Sequence, residues 1–478
     1  MPTPFRHTKI VATIGPASSS PEVMRQLVRA GMNVARLNFS HGAYEDHAAI
    51  IKSLRRISDE EDQPLTLLAD LQGPKVRVGN LPAEGIALVA GAVVELWPEA
   101  QLPATVPAGT IAIPIDYPLA AEDARPGMRV LLADGLFELA VESIAGPALR
   151  CRVIAGGTLT RRKGVNFPEL DLRLPALTEK DLRDLDFAIS QKVNWISLSF
   201  VRSPADVRGL KEQMAARGVR LPVVAKIEKP QALERLDAIL AESDGIMVAR
   251  GDLGVEMRPE QVPLAQKRII TACNRLGIPV ITATQMLESM IHDPRPTRAE
   301  ASDVANAILD GTDAVMLSGE SAVGAHPVKA VEMMDRIARE VETHVPFRPS
   351  PPLTQTINHI FGESVEAIGQ HAGLAAVVVA TRTGDNARLA AAQRPLAPVV
   401  ALTTEIAVQH TLNLVWGIRP LLVEQLPADP RALIVIAERV LLWRGCAHPG
   451  DRILVMGSLT RGEGDAEQAD FLALHQIR

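Results

Sequence analysis

Charged and polar residues recur at the ends of short apolar runs in this 478-residue chain. Arg36, Asn38 and Ser40 close the run Asn33–Ser40 at alternate positions, so they share one face of an extended segment. Asp70 closes Leu65–Leu71, and Lys226 and Glu228, two apart, close Val223–Glu228. Arg250 and Asp252 flank Gly251 at the end of Gly245–Asp252, Thr284 and Gln285 close Val280–Met286, and Ser318 and Glu320 close Ala314–Glu320. Glu228 and Asp252 are hard oxygen donors of the kind that suit Mg²⁺ or Mn²⁺, while no His or Cys cluster has zinc spacing. Arg36, Lys226 and Arg250 are cations suited to phosphate or carboxylate oxygens. A bridging metal with cations around it is the equipment of phosphoryl transfer. Neither a GxxxxGK[ST] loop nor a GxGxxG turn after a strand is present, so a nucleotide must be held by other means.

These residues converge only if the elements beneath them are arranged to do so. The runs named above, with Lys9–Gly15 and Trp195–Phe200, make eight near-continuous apolar strands separated by amphipathic segments. Ser20-Pro21-Glu22, Thr178-Glu179-Lys180-Asp181 and Ser203-Pro204-Ala205-Asp206 are helix starts, and Gly31, Gly218 and Gly277 sit where helices stop. The alternation predicts a parallel (β/α)8 barrel of the TIM type, with the polar strand ends gathered at one mouth. From about Val78 to Lys163, Pro and Gly recur every few residues among short runs such as Val93–Trp97, Arg129–Leu132 and Leu149–Ile154. That texture predicts an inserted small β-barrel, a lid over one barrel end. A proline-rich linker at Val345–Pro352 precedes a further α/β alternation. The expected domains are a catalytic barrel of residues 1–73 and 168–345, a lid of 74–167 and a C-terminal α/β domain of 353–478.

Composition narrows the class. Fifty Lys and Arg against 56 Asp and Glu give a net charge of −6, and aromatics are only 3%, which argues against a nucleic-acid partner. Three scattered cysteines, no apolar leader and no run long enough for a bilayer predict a cytoplasmic, membrane-free protein. Met286 and Met290 read as core, His47, His326, His371 and His410 as surface or packing residues, and Asp59–Asp62 as a solvated helix end.

The stretches TKIVATIGPAS (Thr8–Ser18), MNVARLNFSHG (Met32–Gly42), ADLQGPKVR (Ala69–Arg77), KGVNFP (Lys163–Pro168) and VAKIEKP (Val224–Pro230) resemble the pyruvate kinase family. So do GIMVARGDLGVE (Gly245–Glu256), ITATQMLESMI (Ile281–Ile291) and the long segment Pro294–Glu320, in the same order. The resemblance implies transfer of a phosphoryl group from phosphoenolpyruvate to ADP, giving pyruvate and ATP in a homotetramer. It assigns Lys226 to the migrating phosphoryl group and the enolate oxygen, Arg36 to the phosphoryl oxygens, and Glu228 and Asp252 to the divalent metal. Gly251 and Asp252 would offer backbone N–H groups to the substrate carboxylate, and Thr284 would belong to the proton relay that makes the methyl group. Arg77, His41 and Lys163 match positions on the ADP side.

Two departures from the family pattern carry further expectations. Members that need K⁺ hold it by groups matching Asn38, Ser40, Asp70 and the carbonyl of Leu71, and carry Thr-Lys-Gly-Pro-Glu where this chain has Leu71-Gln72-Gly73-Pro74-Lys75. Lys75 would put a fixed ammonium near that spot, so K⁺ is expected to be dispensable. In relatives activated by fructose-1,6-bisphosphate, a hydroxyl-rich loop holds one phosphate. The matching stretch here is Thr381-Arg382-Thr383-Gly384-Asp385-Asn386, and the charge of Asp385 predicts a different phosphorylated effector, a sugar monophosphate or a nucleotide. A metal-dependent aldolase would share the metal carboxylates and an arginine but would not require the lid or the Lys226–Glu228 pair. A non-catalytic descendant would have lost catalytic positions that are all present.

Overall fold

A computed structural model describes residues 5–105, 110–170, 172–344, 357–458 and 469–478; the linker expected at Val345–Pro352 lies outside them. Eight strands, Lys9–Thr13, Val34–Asn38, Thr66–Asp70, Trp195–Leu198, Val223–Ile227, Gly245–Ala249, Val280–Ala283 and Ala314–Leu317, close a barrel in sequential order. Every neighbouring pair runs parallel. Helix starts form as the sequence dictates: Ser20 accepts from the Val23 N–H, and Thr178 and Asp181 form a reciprocal capping box. Gly31, Gly218 and Gly277 follow their helices with φ of 111°, 71° and 67°.

Alternation along the strands sorts the barrel into layers. Val11, Val34, Leu68, Trp195, Val224, Met247, Ile281 and Ala314 fill its interior. The residues two positions on, including Thr13, Arg36, Asp70, Ser197 and Lys226, therefore form a polar layer above that apolar plug. The opposite end is sealed by the C-terminal domain, whose Leu414 joins the interior cluster. Lys9 Nζ donates to Ile418 O at 2.5 Å, and Asn413 donates to Asn33 O and Pro64 O at 2.8 and 2.7 Å.

The inserted segment is a six-stranded sheet with a two-stranded ribbon beside it. Bridges Arg77↔Gly164 and Val78↔Ile115 link the two edges of that sheet and roll it up. The C-terminal sheet is parallel through Ile418–Leu422, Val399–Thr403, Leu374–Ala380 and Arg452–Gly457. It ends in an antiparallel strand, Phe471–Gln476, that the sequence pattern does not reveal. Among the described residues no helix is long and apolar enough to cross a membrane. The acidic run Asp59–Asp62 is not simply solvated: Glu61 pairs with Arg25 and Arg29, both at 2.8 Å, and Asp62 pairs with Arg444 of the C-terminal domain.

Candidate active site

Three buried charges organise the mouth. Asp70, 1% exposed, accepts from Arg36 Nε at 2.7 Å, with Arg36 Nη2 2.6 Å away. Arg36 Nη1 donates to Thr13 Oγ1 at 3.0 Å, which fixes the guanidinium plane. Lys226 Nζ lies 2.9 Å from Glu228 Oε1 and 3.6 Å from Asp70 Oδ1, and it donates to Ser199 Oγ at 2.8 Å. Ser199 in turn donates to Leu71 O at 2.7 Å, so that carbonyl is engaged. Burial works against the Lys226 ammonium, but Asp70 and Glu228 outweigh it and its pKa lies above the usual lysine value. Asp70 is held below the ordinary carboxylate range: burial opposes ionisation, and Lys226 and Arg36 together overcome it. Glu228 is raised by burial, which the neighbouring Asp252 reinforces against the pull of Lys226.

Glu228 is also oriented. Its Oε2 accepts the Phe200 N–H at 2.6 Å, and Phe200 sits at φ 55°, a left-handed conformation imposed at the end of the fourth strand. Oε1, wholly buried, has no aligned hydrogen bond beyond its contact with Lys226, and neither has Asp70 Oδ1. Two mutually repelling carboxylates, one with a buried oxygen whose one close partner is the Lys226 ammonium, fit a hard dication. Among the described residues no group of three or more His, Cys, Asp or Glu converges on one point. Such a metal would therefore be held by two carboxylates and completed by substrate oxygens and water, as is usual for Mg²⁺.

Several sequence expectations need correction here. The sixth strand stops at Ala249, so Arg250, Gly251 and Asp252 form the first turn of a short helix, Arg250–Glu256. Arg250 is already engaged by Asp303 at 2.7 Å and by Thr284 O at 2.8 Å, where it braces the loop after the seventh strand. Glu320, 1% exposed, accepts the Leu287 and Ser318 N–H groups at 3.0 and 2.8 Å and is a backbone staple. Thr284 does face the site: its Oγ1 accepts the Gly251 N–H at 2.6 Å, and Thr284 and Gln285 adopt φ of 68° and 53°. A Cβ on Gly251 would come within 3.2 Å of that hydroxyl, so the close approach favours glycine.

Lys75 Nζ lies 3.4 Å from Asp252 Oδ1 and 3.3 Å from Asp134 Oδ1 of the lid. It thus reaches Asp252 and the lid, and no described contact joins it to Asn38, Ser40 or Asp70. Asn38 Oδ1 instead accepts the Ser40 N–H at 3.2 Å. Arg77 and Lys163 lie on the two segments connecting lid and barrel, with Arg77 Nη1 donating to Arg162 O at 3.2 Å. His41 is exposed on the loop after the second strand. No described contact brings Arg77, His41 and Lys163 together.

In the C-terminal domain, buried Thr381 accepts the Gly384 N–H at 2.8 Å with Gly384 at φ 92°. Asp385 accepts from Thr383 Oγ1 at 2.6 Å and Arg388 at 2.7 Å, and Asn386 is buried at the start of the next helix. Sequence reasoning misses Thr13, Ser199, Phe200 and Asp134. The first two carry a signal, because they lie at the polar ends of the first and fourth strands. Asp134 belongs to the lid and carries none.

A closed parallel barrel with a buried cation–carboxylate layer at its carboxyl mouth, under an inserted lid, defines a (β/α)8 enzyme for anionic substrates. Residues 5–331 match the family model described as pyruvate kinase, barrel domain, and residues 361–473 that of its alpha/beta domain. The chain belongs to the pyruvate kinase family. It is 48% identical over 429 residues to pyruvate kinase 2 of a Synechocystis strain, covering 88% of this chain and 72% of that one. It is 43% identical over 476 residues to a Mycobacterium intracellulare pyruvate kinase, covering 99% and 98%. The crystal structure of a Cryptosporidium parvum pyruvate kinase superposes with a TM-score of 0.92 at 33% identity, covering 99% of this chain and 96% of that one. The reaction is accordingly phosphoryl transfer from phosphoenolpyruvate to ADP, with pyruvate and ATP as products.

Proposed function

We propose that the enzyme works with Mg²⁺ or Mn²⁺ held by Glu228 and Asp252, and without added K⁺. The observation that carries the metal assignment is the buried Glu228, whose Oε1 has the Lys226 ammonium at 2.9 Å as its one close partner, with Asp70 3.6 Å from that ammonium on its other side. When bound, the dication supplies positive charge to substrate phosphate and carboxylate oxygens. Arg36, oriented by Asp70 and Thr13, holds the phosphoryl oxygens. Lys226 stands where charge grows on the enolate oxygen as the phosphoryl group departs, and its position costs no reorganisation at that moment. The Asp252 N–H receives the substrate carboxylate, joined by the Gly251 N–H when it leaves Thr284 Oγ1. The Thr284 hydroxyl, already bonded to the Gly251 N–H, passes a proton toward the enolate carbon. Arg77, His41 and Lys163 hold ADP phosphates as the lid closes and excludes water.

Activity without a monovalent cation rests on the charge reversal at Lys75 alone, because its ammonium lies beside Asp252 and Asp134 rather than against Asn38, Ser40 or Asp70. Asp385, which already occupies Thr383 and Arg388, supports an effector other than fructose-1,6-bisphosphate. Thr383 and Arg388 line a cleft of about 920 Å³ with Lys211, Arg220 and Trp195 at the amino end of the barrel, room for a sugar monophosphate or nucleotide. The assembly in this reading is a cytoplasmic homotetramer. A lactate-dehydrogenase-coupled assay with phosphoenolpyruvate, ADP and Mg²⁺, compared with EDTA-treated enzyme and with Glu228→Gln, tests the core of it. Turnover that survives both would overturn the metal assignment.

A further inference from the structure

Behind the mouth lies a second buried charge cluster that phosphoryl transfer, as described above, does not use. Lys229 Nζ lies 2.7 Å from Glu256 Oε1, and Asn166 Nδ2 donates to the same oxygen at 2.6 Å. All three residues are buried, at 5%, 2% and 5% exposure for Lys229, Glu256 and Asn166. Each comes from a different element. Lys229 directly follows Glu228 at the end of the fifth strand. Glu256 is the last residue of the helix whose first turn carries Gly251 and Asp252. Asn166 lies on the strand Val165–Asn166, where the chain returns from the lid, and it pairs there with Leu131.

The cluster is poorly arranged for stability alone. A carboxylate at a helix C-terminus opposes the helix dipole. Glu256 Oε2 and Asn166 Oδ1 are both buried without a hydrogen bond. Well-packed apolar residues commonly do as well or better than a buried ion pair, so the pair is better explained by what it holds in register. Its geometry fixes the distance between the element bearing Glu228 and the element bearing Asp252, and ties both to the lid. Another link from the lid to the same helix is the partly exposed bridge Asp134–Lys75–Asp252. One connection is buried, and the other is partly open to solvent.

We propose that Lys229, Glu256 and Asn166 are positioning residues that register the helix Arg250–Glu256 against Glu228 and against the lid. The proposal rests on the assignment of Glu228 and Asp252 to the metal, but its test separates the two. Asn166→Ala removes the lid connection without removing a charge, and Lys229→Met/Glu256→Gln removes the ion pair without stranding one. Each variant is compared with the parent by thermal melting, by kcat and KM for each substrate, and by Mn²⁺ titration of the substrate-free enzyme. Asn166→Ala should melt within a few degrees of the parent and lose roughly tenfold or more in kcat, as misplacement of reacting groups does. The double variant should bind Mn²⁺ about 10-fold or more weakly, the usual effect of losing support behind a ligand. Lys229→Arg, which keeps the donor, should recover most of both. A kcat loss in a normally melting Asn166→Ala supports the tie even if metal binding proves to lie elsewhere. Variants that melt lower yet keep kcat, KM and Mn²⁺ affinity within twofold would reduce the cluster to a staple and overturn the proposal. Should the double variant fail to fold, Asn166→Ala decides alone.

Discussion

Replacing Lys226 by Met removes the ammonium while keeping most of the side-chain volume. At an effective dielectric near 20, its attraction is about 6 kcal/mol to Glu228 at 2.9 Å and about 5 kcal/mol to Asp70 at 3.6 Å, before any desolvation cost. Asp70 keeps Arg36 at 2.6 Å, so it remains compensated. Glu228 keeps only the Phe200 N–H, so a buried carboxylate is left nearly unpaired. Breaking a buried pair in this way costs about 3–5 kcal/mol. The sign of the pH dependence follows from Glu228. Its folded pKa is already raised by burial and rises further without Lys226, so its ionised form opposes folding. That penalty is full above the folded pKa and is relieved as pH falls and the folded state takes up the proton. The variant should therefore melt well below the parent at pH 7.5 and approach it near pH 5.5. For catalysis, a lost charge at a phosphoryl-transfer centre costs about 10³–10⁵ in kcat, or roughly 4–7 kcal/mol. The coupled assay measures the rate, and melting followed by circular dichroism at the two pH values measures the stability. A variant that keeps more than a tenth of parental kcat, or whose melting deficit grows toward low pH, would refute the assigned electrostatics.

Other expectations follow from single sites. Lys75→Glu should make activity depend on K⁺; assays with K⁺ replaced by tetramethylammonium should show little loss in the parent and at least a tenfold loss in the variant. Lys9 is buried against the C-terminal domain, and burial, aided by nearby Arg6, lowers its pKa to about 7. The unfolded chain then binds the extra proton between pH 7 and about 10, so this group makes stability rise with pH across that window. Lys9→Met should flatten the rise, and melting curves at pH 7 and 9.5 that shift equally in parent and variant would count against it. Burial pushes the Cys151 thiol up to about 12 and the Cys273 thiol well above its usual range. Thiol titration of the native enzyme should therefore label Cys446 alone, with the other two reacting only on unfolding.

Much of the site is legible in the amino-acid sequence because period-two alternation is a local property. It is enough to place Arg36, Asp70 and Lys226 on the interior face of three strands, and the run lengths are enough to suggest eight strands. Legibility fails where the chain changes direction. Arg250 and Glu320 have the right type and spacing for the mouth, yet a helix start turns one toward Asp303 and a tight loop spends the other on backbone N–H groups. Lys75 stands out in the sequence as a charge reversal, but its partners Asp134 and Asp252 lie 59 and 177 residues away.

What the sequence determined by itself was the set of chemical groups and the strands that carry them, since both follow from residue identity and side-chain periodicity. Which groups meet was decided by tertiary structure alone. Barrel closure puts Lys226 between Asp70 and Glu228, and the lid's return strand carries Asn166 to Glu256. Such contacts join segments far apart in the chain, and their energies depend on burial that no local stretch of sequence contains.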